Sequence, residues 1–210
     1  MVFLRILCPI IDSQFNESKV GKGILFFILP FLLLLGFSLF IGINVNFVEL
    51  LLAIVKEFAY WIFASIVLFV LLIAFKGKEV HGKFSSIMAG FSVTFLVNFV
   101  MALCSFLLVF LAIPNFFRKI ATLQGKELSF EQILSVIKSM AMPSQEIVII
   151  LFILLLAIGI IAVISNLFVV YKIGNLVRKT TTFSNSVFVI VFFGLSFLIN
   201  SLLSFIFGLI

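Results

Sequence analysis

Residues 146–170 read EIVIILFILLLAIGIIAVISNLFVV, and after Glu146 no charged side chain appears until Lys172. An apolar block of about 18 residues or more is long enough to cross a bilayer as a helix. Four further blocks of this kind lie at about 23–44, 58–75, 90–113 and 186–210. The chain of 210 residues is 64% hydrophobic and 10% charged, whereas soluble domains carry about 25% charged residues. The expected fold is therefore all-α: a polytopic transmembrane helix bundle of about five spans, forming a single membrane domain over 1–210.

The spans predict their own ends. Asn46 and Glu49 stand as a capping box, and Phe47, Leu50, Leu51, Ile54, Val55 and Phe58 follow at helical spacing. One helix over 46–75 would be about 44 Å long, longer than the roughly 30 Å hydrocarbon core. Its first turns, with Glu49, Lys56 and Glu57, are expected near the headgroups. The largest polar piece, 114–145, runs from Pro114 past Pro143, and within it SFEQILSVIKSMA predicts a short amphipathic interfacial helix. The amino-terminal MVFLRILCPII is too short to span, and Pro9 is expected to interrupt it. No removable signal peptide is expected, since no small-x-small cleavage site follows the first long block.

Basic residues set the orientation. Arg5, Lys19, Lys22, Lys76, Lys78, Lys83, Lys172, Arg178 and Lys179 fall on one side, and Lys56, Arg118, Lys119, Lys126 and Lys138 on the other. Nine against five predicts a cytoplasmic amino terminus and, with five spans, an external carboxyl terminus. The net charge of +6 follows from these clusters and does not point to nucleic acid. The stretch FKGKEVHGKFSS, residues 75–86, reads as a short cytoplasmic connection with its charges in water, and Gly77 and Gly82 permit the turn. His81 is expected to be a solvated loop side chain.

Chemistry at membrane depth needs ionisable or nucleophilic groups there. The cores of the five blocks contain no Asp, Glu, Lys, Arg or His, so no catalytic residue, metal site or cofactor is expected, and no enzyme activity. Asn98, Asn166 and Asn200 are the strongest polar groups inside the blocks, with Ser65, Ser92, Ser105, Ser165, Ser196 and Ser201. They could line a path for a small solute, or make interhelical hydrogen bonds worth about 0.6 kcal/mol each. Cys104 is expected to be buried, and Cys8 and Cys104 form no disulfide framework. Tyr60 and Trp61 suit an interfacial anchor, and Pro30 a bend in the first span. The connection YKIGNLVRKTTTFSNS at 171–186 echoes the 75–86 stretch.

The stretch HGKFSSIMAGFSVTFLVNFV at 81–100 places a basic, glycine-containing element directly before a span. Gly82, Lys83, Phe84 and Ser85 resemble the Gly-Gly-Lys-Gly-Ser-Phe element of Yip-domain membrane proteins, which are named for interaction with Ypt/Rab GTPases. His81 stands where that element has its first glycine. YKIGNLVRKTTTFSNSVFVIVFFGLSF is similar to the family's final connection and helix, and CPIIDSQFNESKVGKG to its amino-terminal lead. The resemblance implies five spans, a cytoplasmic amino terminus and no known catalysis, with eukaryotic relatives acting in vesicle trafficking and membrane shaping. The long acidic or proline-rich lead of those relatives is missing, which implies a compact prokaryotic-type member and speaks against a Rab-type partner.

Two readings of function follow. In the first, a non-enzymatic membrane protein organises membrane or partner proteins. Its candidate contacts are Lys76, Lys78, Lys83, Lys172, Arg178 and Lys179 on anionic lipid, an acidic protein or a second copy, unless these residues only set topology. In the second, it is a small-solute transporter or permease, or the membrane subunit of one. Asparagines converging on a mid-depth cavity would favour transport; asparagines bonded to neighbouring backbone would favour scaffolding.

Overall fold

A computed structural model describes residues 2–18, 20–41, 46–113, 145–177 and 182–208. The described elements are helices: α1 Val2–Asn16, α2 Val20–Ile41, α3 Phe47–Lys76, a 3₁₀ turn Gly77–Val80, α4 Phe84–Phe91, α5 Val93–Ala112, α6 Gln145–Val177 and α7 Thr182–Phe207. The amphipathic helix expected over 129–141 lies outside the described residues.

Four helical stretches are long and apolar enough to cross a membrane: Phe47–Lys76, Phe84–Ala112, Glu146–Val177 and Asn185–Phe207. Within α2, Val20–Leu33 is a shorter apolar run, and Pro30 lies inside that helix. Along α6, the consecutive residues Ile147, Val148, Ile149 and Ile150, and then Phe152, Ile153 and Leu154, are all exposed. These residues face every side of the helix, a distribution that only lipid would cover. The protein is an integral membrane helix bundle.

Asn46 caps α3 as expected, but through its side chain to the second helical N–H and to Glu49, not as a reciprocal capping box. The Val48 N–H donates to Asn46 Oδ1 at 3.1 Å, and Asn46 Nδ2 donates to Glu49 Oε1 at 3.0 Å. Helix α3 then runs unbroken for 30 residues and packs along α7, while α5 packs along α6 and α2 closes on α4 and α5. In lipid there is little hydrophobic drive between helices, so close packing and polar contacts hold such pairs together. Gly174 shows how close: a Cβ there would lie 2.8 Å from Phe188 Cε1, so α6 and α7 meet at a point only glycine fits.

Helix α1 corrects one expectation. Pro9 does not interrupt it; the helix gives up the bond from position 9 to the Arg5 carbonyl and continues. Leu7, Ile11 and Phe15, four residues apart on one face, are buried as α1 packs against α4 and α6.

The three basic segments expected on one side of the membrane meet at one end of the bundle. Lys172 Nζ lies 3.3 Å from Asp12 Oδ1, and Ser18 and Ser86 share a 2.7 Å hydroxyl bond. Lys83 Nζ donates to the Val177 carbonyl at 3.3 Å, satisfying one of the orphan acceptors at the end of α6. Gly82 makes the preceding turn at φ +79°, in the left-handed region that favours glycine. The two connections that echo each other in sequence are thus joined in space.

Lys76 departs furthest from its expected place. Its side chain is 1% exposed, and its Nζ donates to Asn185 Oδ1 at the start of α7. Asn185 is itself fully buried and donates onward to Asn175 of α6. A buried ammonium must be compensated by hydrogen bonds or charge. This chain of amides ties the carboxyl end of α3 to α6 and α7.

Candidate functional site

Helix periodicity places Glu57, Tyr60 and Trp61 within about one turn of one another on α3. The first two line a cavity of about 330 Å³ with walls from α2, α3, α4, α5, α6 and α7. Glu57 lies about 15 Å along α3 from its start, at 1.5 Å per residue. Asn98, also on the wall, stands near the middle of the span Phe84–Ala112. The cavity is therefore set at depth within the bundle, and its size falls within the range of small-molecule sites.

Its polar groups are few and come from four helices: Glu57 and Tyr60 of α3, Thr94 and Asn98 of α5, Asn166 of α6 and Ser196 of α7. Asn166 Nδ2 donates to Asn98 Oδ1 across the α5–α6 interface at 2.8 Å. Thr94 turns its hydroxyl back to the Phe91 carbonyl at 2.7 Å. Asn166 Oδ1 is buried and, among the described residues, has no hydrogen-bond partner, whereas the buried Ser196 hydroxyl lies within hydrogen-bonding reach of the Tyr60 side chain. An unpaired buried polar atom costs about 1–3 kcal/mol, so a donor that reaches Asn166 Oδ1 would be bound with gain.

The remaining wall is aromatic, including Phe27, Phe31, Phe95 and Phe192. Behind it stands Trp61, fully buried, stacked on Phe27 at 6.3 Å and edge-on to Phe95 at 6.2 Å. Its indole N–H donates to the Met88 carbonyl at 3.3 Å. That carbonyl lies where the helix is perturbed between α4 and α5: Ser92 Oγ bonds back to the Ala89 carbonyl at 2.6 Å, and Phe95 N–H turns to the Ser92 carbonyl. Trp61 is thus a packing post for the cavity wall, not the interfacial anchor expected from its position.

The other expected residues are placed as follows. Asn98 and Asn166 come together; Asn200 is exposed on α7 and does not join them. Ser201 bonds to its own helix at the Phe197 carbonyl. Of the six candidate contact residues, Lys76, Lys83 and Lys172 are engaged within the fold. Arg178, Lys179 and the side chain of Lys78 lie outside what is described. His81 is exposed. Cys104 is exposed on α5, not buried, because the lipid-facing side of a span accepts a small apolar side chain as readily as its core does.

Glu57 and Tyr60 are the site residues that the sequence reading missed. Lys56 and Glu57, adjacent in sequence, suggested a headgroup boundary. A helix sends them to different faces: Lys56 lines a separate recess with Glu49 and Ser204, and Glu57 faces the cavity.

Comparison with known proteins finds no family model, curated protein or solved structure that matches the chain.

Proposed function

We propose that this chain is a non-enzymatic multi-pass membrane protein that takes a small solute into its helix bundle, as a permease-type carrier or the membrane subunit of one. It would lie in the cell membrane with its amino terminus in the cytoplasm. The observation that carries this reading is the convergence of Asn98 and Asn166 with Glu57 on one cavity. Among the described residues, the two amides bond to each other there and not to neighbouring backbone.

Ala102 also lines the cavity, and Ala102→Trp should fill it. The test is a thermal-shift survey of small solutes on the purified protein. A solute held in the cavity stabilises the wild type, by about 2.7 kcal/mol at a hundred times its Kd, and does not stabilise the variant. If every stabilising solute acts equally on both proteins, the cavity reading fails.

A second reading, the Yip-type organiser of membrane or partner proteins, is favoured by the gathering of the basic segments at one end of the bundle. A partner or an anionic bilayer would meet them there as one surface. Under that reading, replacing Lys78, Lys83, Lys172, Arg178 and Lys179 by Gln, with the buried Lys76 left in place, weakens association with anionic vesicles, whereas unchanged association leaves those residues only a structural and topological role.

A further inference from the structure

The cavity's chemistry is lopsided. Among the described residues on its wall, Glu57 is the only charged side chain. Its neighbour Lys56 lines a different recess. Among the described residues, the unpartnered buried polar atom on the wall is an oxygen, Asn166 Oδ1, and Ser196, 5% exposed, stands beside Tyr60. Around them stand the aromatic rings of Phe27, Phe31 and Phe95.

The hydroxyls and amides of this wall can donate or accept, but its one charge is negative. A neutral solute would leave the Glu57 carboxylate without a counter-ion in the cavity, which is costly. An anion would add like charge beside it. An organic cation pairs with the carboxylate, donates an N–H bond to Asn166 Oδ1 and lies against the rings in cation–π contact. The apolar remainder of the wall accepts a hydrocarbon body.

We infer that the cavity selects a small organic ammonium, a protonated amine carrying an apolar or aromatic group, with Glu57 as its counter-ion. The inference rests on the solute-binding reading above and narrows it to one ligand class.

Trp61 is the single tryptophan and stacks on Phe27 of the cavity wall, so its fluorescence reports occupancy without a label. Three probes share one body and differ in charge: benzylammonium, benzyl alcohol and benzoate. Each is titrated at neutral pH into the full-length protein in nanodiscs, for wild type and Glu57→Gln. Folding of the variant is checked by its unligated Trp61 emission and its elution volume. The expected result is saturable quenching by benzylammonium at least about tenfold tighter than by benzyl alcohol, about 1.4 kcal/mol. That preference disappears in Glu57→Gln while benzyl alcohol still binds. Equal affinity for the three probes, preference for benzoate, or a cation preference that survives Glu57→Gln overturns the inference and leaves the cavity reading standing. No response of Trp61 to any probe overturns both. If Glu57→Gln does not fold, Asn166→Leu carries the same comparison: it removes a free acceptor but not the charge, and the inference predicts a weakened preference for benzylammonium, with an undiminished one counting against it.

Discussion

Asn166 donates its side-chain amide to Asn98 Oδ1 across 2.8 Å, joining α6 to α5 where both helices open onto the cavity. In a bilayer such a bond does two things at once: it fixes the register of two apolar helices, and it keeps a polar edge facing the interior. The alternative partner, a neighbouring backbone carbonyl, would have closed that edge.

The pair should therefore couple in a double-mutant cycle. Asn98→Leu and Asn166→Leu each lower the thermal midpoint in detergent, and the double variant loses less than the sum. The expected coupling is about 0.6 kcal/mol, with about 1.7 kcal/mol the upper range for such bonds. Strict additivity would show that the bond contributes nothing to the α5–α6 contact.

Trp61 gives a graded pair of variants. Trp61→Phe keeps a ring against Phe27 and Phe95 but loses the N–H bond to the Met88 carbonyl, a change of about 1 kcal/mol. Trp61→Ala opens a cavity in the core and should cost about 3–5 kcal/mol. Thermal unfolding followed by loss of monodisperse elution separates the two. An interfacial anchor exposed to headgroups would tolerate both changes nearly equally.

The amide chain from Lys76 through Asn185 to Asn175 makes a less intuitive prediction. Asn185→Leu removes one hydrogen-bond acceptor from a buried ammonium and should destabilise by about 1.5–3 kcal/mol. Adding Lys76→Met to that variant should cost less than Lys76→Met does in the wild type, because the bond it would break is already gone. If the two substitutions are strictly additive, the Lys76–Asn185 bond contributes nothing to stability.

The spans were legible in the sequence because lipid demands uninterrupted apolar runs, and 146–170 satisfies that demand with no tertiary information. The Asn46–Glu49 cap was legible for a similar reason, being a local geometry. Glu57, Trp61 and Lys76 were not. Each lies where apolar and polar sequence meet, and linear order assigns such residues to the membrane boundary. The structure turns all three inward, Glu57 to a cavity, Trp61 to an aromatic core and Lys76 to the buried amide of Asn185. The i to i+3 and i+4 spacing of Glu57 with Tyr60 and Trp61 was the available signal, since it puts a carboxylate and two amphipathic rings on one side of α3. What could not be read was which neighbouring helix that side would meet, because α2, α5 and α7 approach it from distant parts of the chain.

The central claim is that a largely aromatic cavity with a polar edge lies within the spans, and solvent accessibility tests it most directly. Cys8 and Cys104 are replaced, and single cysteines are placed at 98, 166 and 163 in native membranes, the last on the exposed apolar side of α6. A small membrane-impermeant thiol reagent should modify positions 98 and 166 and leave 163 untouched. Equal protection of all three would mean that the cavity is closed to water-borne solutes, contradicting the permease reading and the ligand assigned to it.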